Sequence, residues 1–457
     1  MTSHYPASVR RLSALGLCLV IAACGGASGA AGSSAPGVQR DQRVISFDPT
    51  PIYRQMGLIA RGVPFPVVGR VAYVPAASPD TTHVALVVGF SPNALRFNRE
   101  TDNRFRANYS VGITVERDGQ LAFTTETTET VVVGSFRETE RGDESVVFQE
   151  IFDLRPGEYR LTLVLRDVSS QRGVTEQLTL QVPDFQQRAL STPVPVNKVI
   201  ARETRDSLPF ILARPRAMAS LGQDSVLPLY LESLSPGDTL LELVARTEGG
   251  RVMWTELAGL RPHEGIATGV IQVPVTRLGI GVSQLSFIGS GGRDTASTFV
   301  YVGFGDDLPI ARFEDMLQFL RYFARPARLQ ALREAPEEQR PAAWLAFMRE
   351  TDSIPTTPVH EDLRAYFGRL LRANARFRED GVAGWMSDRG KVFIVLGEPD
   401  QIFEPTVTDF GRARQQLWEY RDRALQLQFF DQTGAGRWRL TQTSDARFEV
   451  ELRRQLR

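Results

Sequence analysis

Between residues 67 and 302 the chain returns again and again to one pattern: a short β-branched or alternating apolar run, then a turn signal, at intervals of roughly ten residues. Residues 67–74 and 83–88 are valine-rich, and Tyr109, Val111, Ile113 and Val115 alternate with polar or small neighbours. Arg117-Asp118-Gly119 then turns the chain back into 120–125. Pro156-Gly157 leads into 159–165, where Tyr159, Leu161, Leu163 and Leu165 share one face of a half-buried strand, and 177–182 closes the set before Pro183-Asp184. These short strands predict an immunoglobulin-like β-sandwich over 44–185, with a barrel as the alternative.

Residues 186–207, polar with scattered prolines, read as a linker. Strands are expected again at 226–231, 239–245, 252–257, 269–273, 284–288 and 297–302, with turns at Ser235-Pro236-Gly237-Asp238 and Glu248-Gly249-Gly250. They predict a second, smaller β-sandwich over 208–304; the alternative is one large β unit spanning both blocks. The character changes after Gly305. Phe313, Met316, Leu317, Leu320 and Phe323 recur at helical spacing, followed by Leu329, Leu332, Trp344 and Phe347. Thr357-Pro358 with Glu361-Asp362 is a helix start, and Leu363, Phe367, Leu370, Leu371 and Phe377 form that helix's buried stripe. An α+β domain over 311–457 follows. A chain of 457 residues suits two to four such domains.

Fifty-three basic and fifty-three acidic side chains cancel, so no global field collects an anionic polymer, and nucleic acid is not an expected partner. Only Lys198 and Lys391 are lysines, and no basic cluster is visible among the arginines. The first forty residues are more telling. Arg10-Arg11 precedes an apolar run, 12–23, of signal-peptide length and too short to span a bilayer. Ile21-Ala22-Ala23-Cys24 looks like a bacterial lipobox, which implies a signal peptide over 1–23 and acylation of Cys24; the alternative is an ordinary secretory signal cut near Ala30. Two or three acyl chains hold a protein at a membrane where one does not. Gly25 is not the Asp that favours inner-membrane retention in other lipoproteins, so the resemblance implies the outer membrane, periplasmic face. Cleavage there removes Cys18 and consumes Cys24, which leaves no thiol for a disulfide, a cluster or a nucleophile. Residues 24–43 read as a flexible tether, whose glycine-rich part, 25–40, has a reach of about 20–25 Å.

The densest stretch is Gly384-Trp385-Met386-Ser387-Asp388-Arg389-Gly390, which runs into an apolar segment, 391–396, and then Gly397-Glu398-Pro399-Asp400. Gly384 and Gly390 bracket a turn, Trp385 brings a large apolar body with one N–H, and Ser387 or Asp388 can accept from nearby backbone amides. Residues 391–396, apolar on both faces, are expected to form a strand buried on both sides. The stretch resembles the signature of the GWxTD-domain family, with Ser387 where the family has Thr; the resemblance covers roughly 311–445. Upstream, the family's Asp-Pro-x-Pro-x-Thr and Asn-Glu are replaced by Asp352-Ser353-Ile354-Pro355-Thr356-Thr357 and His360-Glu361. No molecular activity is established for that family. The later order of apolar segment, Leu-Gly-x-Pro, Trp418-Glu419-Tyr420 and Phe429-Phe430-Asp431 is similar to small outer-membrane lipoproteins of the β-barrel assembly machinery.

Reaction chemistry is sparse. His4, His83, His263 and His360 lie far apart, and His360-Glu361 begins like a zincin helix, but position 364 is Arg, so neither a metal nor another cofactor is expected. Gly281-Val282-Ser283-Gln284-Leu285 lacks the second glycine of a nucleophile elbow, and Gly289-Ser290-Gly291-Gly292 reads as a hairpin turn. Two functions remain. The leading one is a non-catalytic, lipid-anchored envelope protein with a protein partner. Its rival is a periplasmic hydrolase of peptidoglycan or another envelope polymer that uses Asp388 and Asp400, with Glu398 nearby, as an acid–base pair.

Overall fold

The computed structural model describes residues 47–457 apart from 143–145, 236–238, 293, 306–308, 358 and 405–413. The expected signal peptide, Cys24 and the expected tether fall outside the described residues. Alternation sets the first pair of sheets. In Phe105–Arg117 the residues Ala107, Tyr109, Val111, Ile113 and Val115 are buried while their neighbours are partly exposed. One antiparallel sheet is ordered Ile59–Arg61, Val67–Pro75, Thr82–Phe90, Val146–Leu154. The other is ordered Asn98–Arg99, Phe105–Arg117, Gly157–Asp167, Gly173–Val182, and Gln120–Val133 also pairs with Phe105–Arg117. Their facing sides meet through Val84, Leu86, Val88, Ile113 and Leu163, all fully buried. Asp118 and Gly119 form the two-residue hairpin loop, with φ of 52° and 76°, the left-handed pair that a tight hairpin of this hand needs.

Thr82–Phe90 is buried on nearly every residue, because the back of its sheet is covered as well. Ala72, Ala85 and Val87 pack there against Val194, Val196, Ile211 and Tyr230. The expected linker over 186–207 is therefore corrected: it contains the strand Val194–Ile200, paired on both sides, with Phe210–Ala213 and with Val226–Ser233. Pro193 and Pro195 are what made it read as loop. Pro195 is tolerated beside a register shift between Val196 and Lys198, and its carbonyl accepts from Arg214 N–H at 2.8 Å.

The same segment carries Arg202, whose side chain and that of Glu232 are both fully buried. Arg202 Nε and Nη2 donate to the two Glu232 carboxylate oxygens at 3.0 and 2.7 Å. Its remaining protons go to the carbonyls of Arg205, Ser207 and Pro75 at 2.9, 3.0 and 2.7 Å. All five guanidinium donors are used, which is the condition for such a pair to survive away from water. Burial raises the Glu232 pKa; Arg202 and the Tyr230 hydroxyl, which donates to Glu232 at 2.5 Å, oppose that rise.

The third sheet is ordered Phe210–Ala213, Val194–Ile200, Val226–Ser233, Ile266–Pro274, Arg261–His263, and the fourth Met218–Ser220, Thr295–Gly303, Gly281–Ile288, Leu240–Thr247, Val252–Gly259. Leu227, Leu229, Leu231, Leu243, Leu285 and Phe287 fill the space between them, and their cluster continues without a break into the helical region and as far as Trp385 and Phe448. Ile52 and Tyr53 of the helix Thr50–Gln55 join it from the other end of the chain. The block at 208–304 and the region after 311 thus share one apolar core.

That last region holds helices Phe313–Phe319, Pro326–Glu334, Arg340–Thr351, Glu361–Arg376, Asp388–Leu396 and Gln442–Gln455. Its sheet is ordered Gln401–Phe403, Arg414–Tyr420, Leu425–Asp431, Arg439–Leu440. Residues 391–396 are helical and not the strand expected of them. A short apolar run looks alike in either form, and the deciding signal was the Ser387 cap with Asp388 in the first turn. The molecule is therefore β-rich, with several sheets followed by a mixed helical and strand region. Among the described residues no helix is long and apolar enough to cross a membrane.

Candidate functional site

The signature sits where two helices, a sheet and Phe47 converge. Gly384 presses against the C-terminal end of Glu361–Arg376: a Cβ there would lie 2.5 Å from the carbonyl oxygens of Ala373 and Asn374. At Gly390 a Cβ would lie 1.8 Å from the Gly384 carbonyl oxygen. Both glycines are required by close backbone approach, since φ is negative at each. Between them the chain makes one short 3₁₀ turn and enters the helix Asp388–Leu396.

Trp385 is fully buried. Phe319 meets it edge-on with centroids 5.3 Å apart, Phe47 does so at 6.3 Å, and Phe47 stacks on Phe319 at 4.7 Å. The Arg321 guanidinium lies over the indole, 4.6 Å from its centroid. Among the described residues the indole Nε1–H finds no acceptor, so the ring acts as an aromatic body. Sequence reading did not find Phe47; a lone Phe just past a glycine-rich stretch gives no periodicity to follow.

Every polar signature side chain but one is engaged. Ser387 Oγ accepts from Gly390 N–H at 3.0 Å and donates to the Gly384 carbonyl at 2.8 Å, which caps the helix and closes the turn together. A threonine, the family's usual residue, offers the same hydroxyl. Asp388 accepts from Leu440 N–H at 2.8 Å and lies 3.6 Å from Lys391 Nζ. Burial would lower the Lys391 pKa, but Asp388 and Asp445 outweigh it and hold the ammonium form. At the other end of the helix Gly397 takes a φ of 88°, and its carbonyl accepts from the Tyr420 hydroxyl at 3.1 Å. Pro399 is buried, and exposed Glu398 pairs with Arg376 at 2.5 Å. Asp400 accepts from Arg421 N–H at 2.7 Å, and its own N–H donates to Glu419. Among the described residues Arg389 makes no hydrogen bond; its guanidinium lies over the rings of Trp438 and Phe377, 4.9 and 5.5 Å from their centroids, and burial lowers its pKa.

Asp388 and Asp400 thus fasten opposite ends of one helix, about 13 Å long, to opposite ends of the sheet, the first beside Phe429 and the second beside Leu425. They do not converge on a common point as an acid–base pair must.

His360, given no role in the sequence reading, has a structural one. It caps Glu361–Arg376: Nδ1 accepts from Leu363 N–H at 3.2 Å, so the ring proton sits on Nε2, 3.0 Å from Thr351 Oγ1, which itself donates to the Phe347 carbonyl. Burial lowers its pKa, against the opposing charges of Asp352 and Asp362. Ligand-type atoms of Asp352, His360 and Asp362 lie within 4.8 Å of one another, a group missed in the sequence because Asp352 lies eight residues ahead of His360. Three of the four carboxylate oxygens have partners: Asp362 accepts from Ser353 and pairs with Arg457 at 2.9 Å, and Asp352 Oδ1 accepts from Ile354 N–H. His360 thus serves as the cap of the helix, with the two carboxylates beside it.

The geometry defines a small α+β unit built on a glycine-bracketed tryptophan turn. The family model for the GWxTD domain matches residues 291–440, and this region of the chain is a GWxTD domain. The match begins earlier than 311 and takes in the strand Thr295–Gly303, which is joined to the helices: Tyr301 Oη accepts from Ala311 N–H at 2.9 Å and donates to its carbonyl. No curated protein matches the chain significantly. Among solved structures it is similar to Salmonella alpha-2-macroglobulin reacted with methylamine, at 10% identity and a TM-score of 0.16, over 52% of this chain and 17% of that one. A likeness so slight carries no argument.

Proposed function

We propose that this chain is a non-catalytic cell-envelope protein, anchored by lipid on Cys24 at the periplasmic face of the outer membrane, whose GWxTD domain is a scaffold for a protein partner. The two β blocks, read as immunoglobulin-like sandwiches, act as spacers or binding surfaces. One observation carries the reading: Asp388 and Asp400, the candidate acids, each accept a backbone N–H at opposite ends of a helix, while Trp385 is buried against Phe319 and Phe47. Such groups hold a fold together. The lipobox-like Ile21-Ala22-Ala23-Cys24 supports the anchor, and the absence of any net charge is in keeping with a protein partner over a nucleic acid.

Two experiments test this. Labelled palmitate should mark the expressed protein and fail to mark Cys24→Ser; labelling of neither removes the anchor. Crosslinking in native envelopes should recover a reproducible protein partner. If instead a glycan- or peptide-cleaving activity is found, and Asp388→Asn with Asp400→Asn abolishes it in a folded protein, the hydrolase reading replaces this one.

A further inference from the structure

The strand Gln120–Val133 has fourteen residues and forms the outer margin of its sheet. It pairs with Phe105–Arg117 on one side, and among the described residues its other side makes no backbone hydrogen bond. That leaves an edge about 45 Å long presenting free N–H and C=O groups. Several other edges of the molecule are managed, although Val146–Leu154 and Val252–Gly259, of nine and eight residues, also end their sheets. Arg439–Leu440 and Gln401–Phe403 are two and three residues long. Phe210–Ala213 has its backbone bonded by the Gln149 side chain, to Ile211 O at 2.7 Å and from Ala213 N, and Gly173–Val182 carries the Arg61–Glu176 pair. Gln120–Val133 has no Lys, Arg or Pro, the residues that usually protect such an edge. Its one irregularity, opposite Val115 and Glu116, is near the hairpin and leaves residues 123–133 regular.

The side chains say what fits there. In a symmetric antiparallel pairing of this strand with itself, opposed residues share a face, so their numbers must sum to an even value. Pairing about Glu126 or Glu129 sets carboxylate against carboxylate. Pairing about Thr128 sets Thr125 against Val131. Pairing about Thr127 sets Phe123 against Val131, Thr124 against Thr130 and Thr125 against Glu129: apolar meets apolar, polar meets polar, and no two carboxylates are opposed. We infer that a second copy of this chain adds to the sheet here, strand Gln120–Val133 against itself about Thr127, giving a two-fold dimer with one continuous sheet. The inference does not rest on the function proposed above.

The test uses the chain from Gly25 to Arg457, which contains the whole compact unit Ile45–Arg457 and no cysteine. Sedimentation equilibrium should find a dimer. Thr127→Lys, which sets two ammonium groups opposite each other, should raise the dissociation constant about fivefold or more, whereas Thr125→Lys, facing the partner's Glu129, should lower it by a similar factor. Thr127→Cys should form an intermolecular disulfide under mild oxidation far faster than Leu257→Cys, a 69% exposed control on another strand. That comparison stands even if Thr127→Lys fails to fold. A monomer whose Thr127→Cys variant crosslinks no faster than the control overturns the inference, as does a dimer whose association ignores both lysine substitutions.

Discussion

The joint at Arg202 and the turn at Trp385 both tie together parts of the chain that lie far apart in sequence, and they do so with opposite chemistry. At Arg202 one ion pair, completely shielded from water, collects three carbonyls and holds the first sheet to the third. At Trp385 an aromatic group and two close-packed glycines make the contact, and the charged residues serve at the periphery as clamps on backbone amides. The difference concerns tolerance. A buried ion pair is all or nothing, because the survivor of a broken pair is an unpaired charge. An apolar turn loses stability in proportion to the contacts removed.

The largest effect expected is therefore at Arg202. Arg202→Ala should lower stability by about 3–5 kcal/mol in urea unfolding, and Arg202→Met combined with Glu232→Leu should recover most of it. A loss below about 1 kcal/mol for the single variant would erase the contrast. Trp385→Ala should come next, at about 3–4 kcal/mol, slightly eased because the indole N–H already lacks an acceptor. Trp385→Phe should lose much less, and equal losses would mean that indole-specific contacts carry the turn. Ser387→Ala should lose about 1–2 kcal/mol through the missing cap, while Ser387→Thr should change little, read by thermal melting. The smallest effect is a pH dependence at His360. Its pKa in the fold is lowered, chiefly by burial, so the unfolded chain takes up a proton that the fold resists. Stability present above about pH 6.5 is lost as pH falls through the folded value; His360→Asn keeps a cap and should flatten that slope.

Strands were legible wherever alternation and turn chemistry agreed. Tyr109 to Val115 with Asp118-Gly119 is the clearest case, although 126–133 was not seen as a continuation, because its alternating Thr and Glu lack an apolar face. The signature was legible as a turn between close-packed glycines around a large apolar body, but which of Ser387 and Asp388 caps the helix was not, because the segment after them was read as a strand. What failed had a common cause. Residues 391–396 and 194–200 are short segments whose form is decided by what packs on them, and Phe47 and Arg202 act through partners more than one hundred residues away or hidden among loop-like neighbours. Local pattern holds no record of such partners.

The central claim is that the signature's polar groups hold the GWxTD domain together and do not serve a reaction. Native-state hydrogen exchange at two amides tests it most directly: Gly390 N–H, bonded to Ser387, and Leu440 N–H, bonded to Asp388. The account expects both to exchange only on unfolding of the domain, with Asp388→Asn weakening the protection at Leu440. Rapid exchange at both amides in the native protein, unaltered by Asp388→Asn, would contradict it.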